Sequence, residues 1–389
     1  MKFASWARVL CAAALLAGLA GCGNFWQAPS TSTSTTPSGT TLTSGNFYIL
    51  NAPTTAANTV SGYYINAGTL TALSGSPYAV NGLAYSMAVS PSGDLLYVAS
   101  TNGIYLYTID SSTGALTQGA VVSQDIQAKA IAMDPTGKWL LDASDLGSIS
   151  AIPVTSSGVL NTAISVQTLP MAGASVQQMA ISPSGALIAV ALGSAGTQAF
   201  SFNASNSAPL STGSNPIGVV NSAGAAVAVA FDPQSRLLYT GETSVFPNSS
   251  SSPGGMRAFA VSSSSLTELS GSPYASGGTG PHALLAEATG NYVYVANWAG
   301  TTTGSISGFS VAVSGTTYVL TALSNTAVTG IEPSSLAEDS KGNFVFTVST
   351  GGSPEWSAYT FDTTTASKLD LALTSTSTGT SPAAIVSEP

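Results

Sequence analysis

Short apolar runs recur along the chain, each broken by a turn built on Pro and Gly and followed at once by a second run, as in "SMAVSPSGDLLYVAS" from Ser86 to Ser100. Aligned on the turn glycine or its substitute, the units are "MAVSPSGDLLYVAS" at Gly93, "IAMDPTGKWLLDAS" at Gly137, "MAISPSGALIAVAL" at Gly185, "VAFDPQSRLLYTGE" at Ser235, "LLAEATGNYVYVAN" at Gly290 and "LAEDSKGNFVFTVS" at Gly342. The spacing is about 50 residues, a repeat period. A third β-rich run follows each pair, such as "GIYLYTID" or "MRAFAVS", and then a weaker fourth, such as "SLTELSGSPYA". Four strands per unit at this period predict β-propeller blades in an all-β fold.

The chain ends in "AIVSEP", the first strand and half the turn of another unit, and "SGNFYILNA" from Ser44 to Ala52 supplies the missing half. Head and tail should therefore pair in one composite blade, giving seven blades of four antiparallel strands and leaving no splayed sheet edge. Five residues before each turn glycine stand mostly small residues (Ala88, Ala132, Ala180, Ala230, Leu285, Ala337, Val386), and one residue earlier large ones (Met87, Ile131, Met179, Val229, Leu284, Leu336, Ile385). Because successive strand residues face opposite sides, each blade should offer small residues to one neighbour and large ones to the other.

Composition changes the picture at the N-terminus. "MKFASWARVLCAAALLAGLAGC" carries Lys2 and Arg8 ahead of an apolar run too short for a stable span, so residues 1–21 read as an export signal. Leu19-Ala20-Gly21-Cys22 resembles the bacterial lipobox, which implies a lipidated Cys22 as mature N-terminus; Gly23 after it favours the outer membrane as the address. Residues 22–45, rich in Ser and Thr, read as a disordered tether, and 46–389 as the propeller. The formal net charge is −9, and only 6% of residues are charged, so the basic footprint of a nucleic-acid binder is absent. The two cysteines, Cys11 and Cys22, leave no disulfide for the domain, and a monomer is expected.

Candidate chemistry follows from the repeat frame. In a propeller the loops entering the inner strand and those joining the second and third strands open on one face. The entering positions are Tyr85, Lys129, Gln177, Val227, His282, Ser334 and Ala383. His282 is the sole histidine and could serve as a general base; the bland alternative is a channel-lining imidazole bonded to water and backbone. Long second-to-third strand loops bring Glu242, Phe246, Arg257, Trp298, Glu355 and Trp356 towards the same mouth, where aromatics would stack on sugar rings or a partner, or else cap their own blades. On the opposite face Asp134, Asp232, Glu287, Asp339 and Glu388 join Ser90 and Ser182 in a ring that reads as cation attraction or as ordinary turn capping. One His and no spaced Asp-x-Asp loop argue against a metal, and no cofactor is expected.

"SPSGDLLYVAS", "GNYVYVAN", "IDSSTGALT" and the repeated "LTALSGSPYA" and "LTELSGSPYA" resemble the seven-bladed lactonase family, the bacterial 6-phosphogluconolactonases and their YVTN-type relatives, over roughly residues 46–389. The resemblance implies metal-independent opening of a sugar lactone by His, Arg and acidic groups. Here His282 matches, with Glu242 and Arg257 as its candidate catalytic partners, but Pro281 stands where the family has Arg. The ligand-contacting candidates are Tyr85, Lys129, Gln177, Trp298, Glu355 and Trp356. The expected function is binding of a carbohydrate-like ligand or an envelope protein through the loop-rich face. Lactone hydrolysis and a structural role in an envelope complex are the alternatives.

Overall fold

The computed structural model describes residues 42–389 apart from 124, 126, 171–174, 247–252, 263–264, 363 and 366–367. The stretch read as an export signal, Cys22 and the stretch read as a tether, up to residue 41, lie outside the described residues. No helix occurs among the described residues, and every strand pairing is antiparallel.

Blade 1 is composite. The tail strand Pro382–Ser387 pairs with Phe47–Asn51, opposing Phe47 to Ser387 and Ile49 to Ile385, and Asn58–Asn66 continues the sheet. Glu388 tightens the join, accepting from the Asn46 side-chain amide (3.0 Å) and from the Tyr48 hydroxyl. Blades 2 and 3 are four-stranded sheets begun by Ala84–Val89 and Ala128–Met133. Blade 4 has three strands, Gln178–Ile181, Leu187–Ala191 and Thr197–Ser201; its outer segment makes only isolated bridges such as Phe202 to Leu210 and Thr197 to Ile217. Blade 5 starts at Ala226–Phe231. Blades 6 and 7 form one seven-stranded sheet, because Thr317–Glu338 runs unbroken from the outer edge of blade 6 into the inner position of blade 7, absorbing the bend in register shifts around Ile331, Pro333 and Ser335.

Among the described residues seven apolar clusters form, one at each blade boundary. The large inner-strand residues face the preceding blade and the small ones the following blade: Met87 packs towards blade 1 and Ala88 towards blade 3, Val229 towards blade 4 and Ala230 towards blade 6. The boundary between blades 7 and 1 joins Phe346, Val348 and Trp356 to Phe47, Ile49 and Ile385. Twisted sheets nest this way because a wide side chain on one face meets a narrow one on the next.

The last residues of the stretch read as tether are held rather than free. Lys341 Nζ donates to the Ser44 carbonyl (2.8 Å), Asn343 Nδ2 to the Thr43 carbonyl (3.0 Å), and Ser44 Oγ accepts the Ile65 N–H (2.8 Å).

Candidate functional site

The aligned Asp, Glu and Ser positions of the turn face act as turn caps. Asp134 accepts the N–H of Trp139 (2.7 Å), Asp232 that of Leu237 (2.8 Å), Glu287 that of Tyr292 (3.0 Å) and Asp339 that of Phe344 (2.8 Å); Ser90 and Ser182 do the same for Leu95 and Leu187, both at 3.0 Å. Asp134 and Asp232 are fully buried. Their oxygens are spent within the turn, on backbone N–H groups and on Thr136 Oγ1 or Arg236 Nε, the ordinary chemistry of such turns. Among the described residues no group of three or more His, Cys, Asp or Glu is disposed to hold a metal ion.

On the loop face, blades 2 to 4 bring three expected residues into one arc. The Lys129 ammonium lies 3.3 Å from the centroid of the Tyr85 ring, a cation–π contact, and 3.9 Å from the Asp145 carboxylate. Asp145 also accepts the Val176 N–H (2.8 Å), which links this pair to the start of blade 4, where exposed Gln177 donates to Ser175 Oγ (2.6 Å). Tyr85 and Lys129 are half-buried, so their polar faces remain reachable.

In blade 6, His282 stacks on Trp298 with ring centroids 3.8 Å apart and planes 18° from parallel. Both rings are half-buried, and the buried Trp298 Nε1 has no hydrogen-bond partner. Burial pushes the imidazole down to about 4, so it is neutral near pH 7. Among the described residues no hydrogen bond or ion pair reaches the His282 side chain.

Glu242 and Arg257 meet each other and not His282. Across neighbouring strands of blade 5, Arg257 donates to Glu242 (3.0 Å), to the Gly218 carbonyl (2.8 Å) and through two nitrogens to Glu268 (2.8 and 2.7 Å); Glu242 also accepts the Val220 N–H (3.0 Å). Both members are buried, with Glu242 only 1% exposed. Burial raises Glu242, while the Val220 amide and the guanidinium oppose that rise; the Arg257 hydrogen bonds lower Glu268. The network is an internal clamp whose donors and acceptors are already used.

Blade 7 departs from the loop picture. Trp356 stands in the strand Trp356–Phe361 rather than on a protruding loop, is fully buried, and stacks on Phe47 with centroids 5.6 Å apart and planes 5° from parallel. Its ring fills the boundary with blade 1, where apolar area outweighs any use at the surface. Glu355 is half-buried and accepts the N–H groups of Thr378 (3.0 Å) and Gly379 (3.2 Å), fixing the loop before the tail strand. Phe246, half-buried, offers its carbonyl to Asn221 (3.0 Å).

One residue of this region stood outside the sequence reading. Asp142, in the second strand of blade 3, is 2% exposed and its Oδ1 has no partner. Burial, and after it the nearby carboxyl of Asp125, push it up to about 8. The repeat frame does hold its signal, since the matching positions are Leu50, Val98, Val190, Thr240, Val295 and Thr347, none of them charged.

The family described as Lactonase, 7-bladed beta-propeller, matches residues 51–239. A search of curated proteins finds no match. Among solved structures, the chain is similar to a proposed 6-phosphogluconolactonase of Bacteroides uniformis (18% identity, TM-score 0.69, covering 88% of this chain and 99% of that one). It is likewise similar to a second such protein of Bacteroides fragilis (15%, 0.67, 91% and 99%) and to the periplasmic gluconolactonase of Pseudomonas aeruginosa (16%, 0.66, 89% and 99%). At these identities the structures speak for the fold. The family match over residues 51–239 and the shared fold together support a lactonase-type seven-bladed β-propeller.

Proposed function

We propose that the protein is an exported, lipid-anchored propeller that binds an unphosphorylated, carbohydrate-like ligand at its loop-face mouth. The observation carrying this reading is the pairing of polar groups with aromatic rings on that one face: Lys129 over Tyr85 in blades 2 and 3, and His282 on Trp298 in blade 6. Rings with an adjacent donor suit sugar hydroxyls and their C–H faces.

A phosphate is a poor fit, because Lys138 follows the turn Gly137 on the opposite face and four other cations are engaged. Arg236 pairs with Asp232 (2.8 Å), Arg257 with Glu242 and Glu268, Lys368 with Asp362 and Asp370, and Lys341 with the Ser44 carbonyl. Export points the same way, since the lipobox at Cys22 would remove the protein from the cytoplasm, where sugar phosphates are kept. Calorimetric titration of the mature protein with D-gluconate, D-glucono-δ-lactone and 6-phosphogluconate tests the reading. Binding of the first two, lost in Trp298→Ala and Lys129→Met, supports it; preference for the phosphate, or unaltered binding in both variants, refutes it.

The family match favours a second reading at the same mouth, metal-independent hydrolysis of an aldonolactone. The Lys129 ammonium would polarise the lactone carbonyl, and a neighbouring base would activate water. His282 is neutral and could accept a proton, but among the described residues no hydrogen-bonding side chain orients it.

A further inference from the structure

The third and fourth strands of blade 6 run past the level at which other blades turn. Blades 2, 3 and 4 close this end with short polar turns, Asp110 to Gly114, Thr155 to Gly158 and Asn203 to Asn206. The third strand of blade 6, Thr303–Ser314, has 12 residues against 7 in blades 2 and 5. Its Val311 N–H meets the carbonyl of Asn291 (2.7 Å), one residue past the turn glycine Gly290, and the ladder then continues through Ala312 with Val319, Val313 with Tyr318 and Ser314 with Thr317. At about 3.3 Å per residue the tip stands about 10 Å beyond that level. Val313 is 43% exposed and Val319 53%, on opposite faces of the hairpin, with half-buried Tyr318 beside Val313. No residue from Ala288 to Ile331 is charged. A single exposed valine is ordinary, whereas two on both faces of a projecting, uncharged tip call for a cover.

The N-terminal chain enters the propeller on the same face. Leu42 offers its carbonyl to Gly68 (3.4 Å), in the hairpin between Asn58–Asn66 and Thr69–Ala72 of blade 1. Thr43 and Ser44 are held by Lys341 and Asn343, which flank the turn glycine Gly342 of blade 7. Residues 22–41, as a flexible Ser/Thr-rich chain, would span about 25 Å on average. An anchor at Cys22 therefore keeps the turn face, and not the loop-face mouth, next to the lipid.

We propose that the blade 6 hairpin tip is a membrane-contact element: Val313, Val319 and Tyr318 enter the bilayer interface beside the anchor, and the loop-face mouth opens away from the lipid. This rests on the lipid-anchored reading above. Aliphatic side chains and a tyrosine suit that interface, and ladder pairing out to Ser314 and Thr317 satisfies the backbone that enters it. The contact is apolar rather than electrostatic, because exposed Asp94 and Asp110 offset Lys138 on this face and anionic lipid adds no attraction.

The test uses the full chain, expressed with its N-terminal segment so that Cys22 is processed in the cell, and reconstituted in vesicles of phosphatidylethanolamine and phosphatidylcholine. Val319→Cys, and Leu146→Cys on the exposed loop between the second and third strands of blade 3, each carry an environment-sensitive dye. The dye at 319 should shift to the blue and be quenched by brominated lipid, while the dye at 146 stays as in water. Hydrogen exchange of residues 311–320 should slow about tenfold on vesicles, with no change at high salt. The double change Val313→Asp, Val319→Asp, checked for folding by circular dichroism, should stay anchored and lose that protection. A water-like dye at 319 on anchored protein, a quenched dye at 146, or equal protection in the double variant overturns the proposal and leaves the anchor standing. A blue shift without quenching by lipid puts a second copy of the chain over the tip and overturns it too. Wild type recovered with Cys22 unmodified refutes the anchored reading, and the membrane contact with it.

Discussion

Asp142→Asn should make the protein more stable at neutral pH, and by an amount that depends on pH in a defined way. In the unfolded chain this carboxyl ionises near 3.8, whereas in the folded state it holds its proton up to about 8. Below the lower value both states are protonated and there is no penalty. Between the two values the unfolded state loses its proton and the folded state does not, so stability falls as pH rises. Each pH unit across that window costs about 1.4 kcal/mol, giving a cost of about 4 kcal/mol at pH 7. Asn keeps the volume and cannot ionise. Urea midpoints at pH 4.5 and 7.5 measure the difference directly: the variant should gain about 2–4 kcal/mol over wild type on going to the higher pH, allowing for local relaxation. For a domain of this size that corresponds to a rise of about 5 °C in Tm. Parallel pH dependences for wild type and variant would refute the reasoning, because they would mean that Asp142 titrates alike in both states.

Other outcomes follow from the same contacts. Trp356→Ala should cost about 3–5 kcal/mol in chemical denaturation without weakening ligand binding, since the ring lies between blades 7 and 1; a loss of binding at unchanged stability would return it to the mouth. Arg257→Ala leaves Glu242 buried without its cation and should cost about 3–5 kcal/mol, with Arg257→Met, Glu242→Gln less damaging as a double change. Proton NMR should place the His282 midpoint at about 4. Because the folded value is depressed, this group lowers stability as pH falls from its unfolded value towards 4; an unshifted midpoint would mean a solvated ring.

Much of the architecture was legible because it is written seven times. A turn glycine with apolar runs on both sides fixes the first two strands of each blade, and the alternation of Met87 with Ala88 or Val229 with Ala230 foretells which face meets which neighbour. The unbroken strand Thr317–Glu338 was not foreseeable, since nothing in sequence decides whether an extended linker keeps its hydrogen bonds through a bend. The site was legible by position more than by partner. Repeat arithmetic placed Tyr85 and Lys129 at neighbouring entrances, and they touch; it also set Trp356 on a loop, because an aromatic beside "GGSPE" can cap the core or face solvent with the same sequence. Arg257 and Glu242 were seen as mouth residues, yet cross-strand pairing turns them into a clamp. Asp142 was visible as an exception to its column, and its meaning needed the packing around it.

The sevenfold frame that locates the mouth depends on the tail strand lying beside the head strand in blade 1. Hydrogen exchange followed by mass spectrometry addresses this without any variant. Peptides covering Pro382–Ser387 should be protected to the same degree as those covering Phe47–Asn51, and both should open together as denaturant is added. Rapid exchange of the tail while residues 47–51 stay protected would contradict the pairing and remove the composite blade.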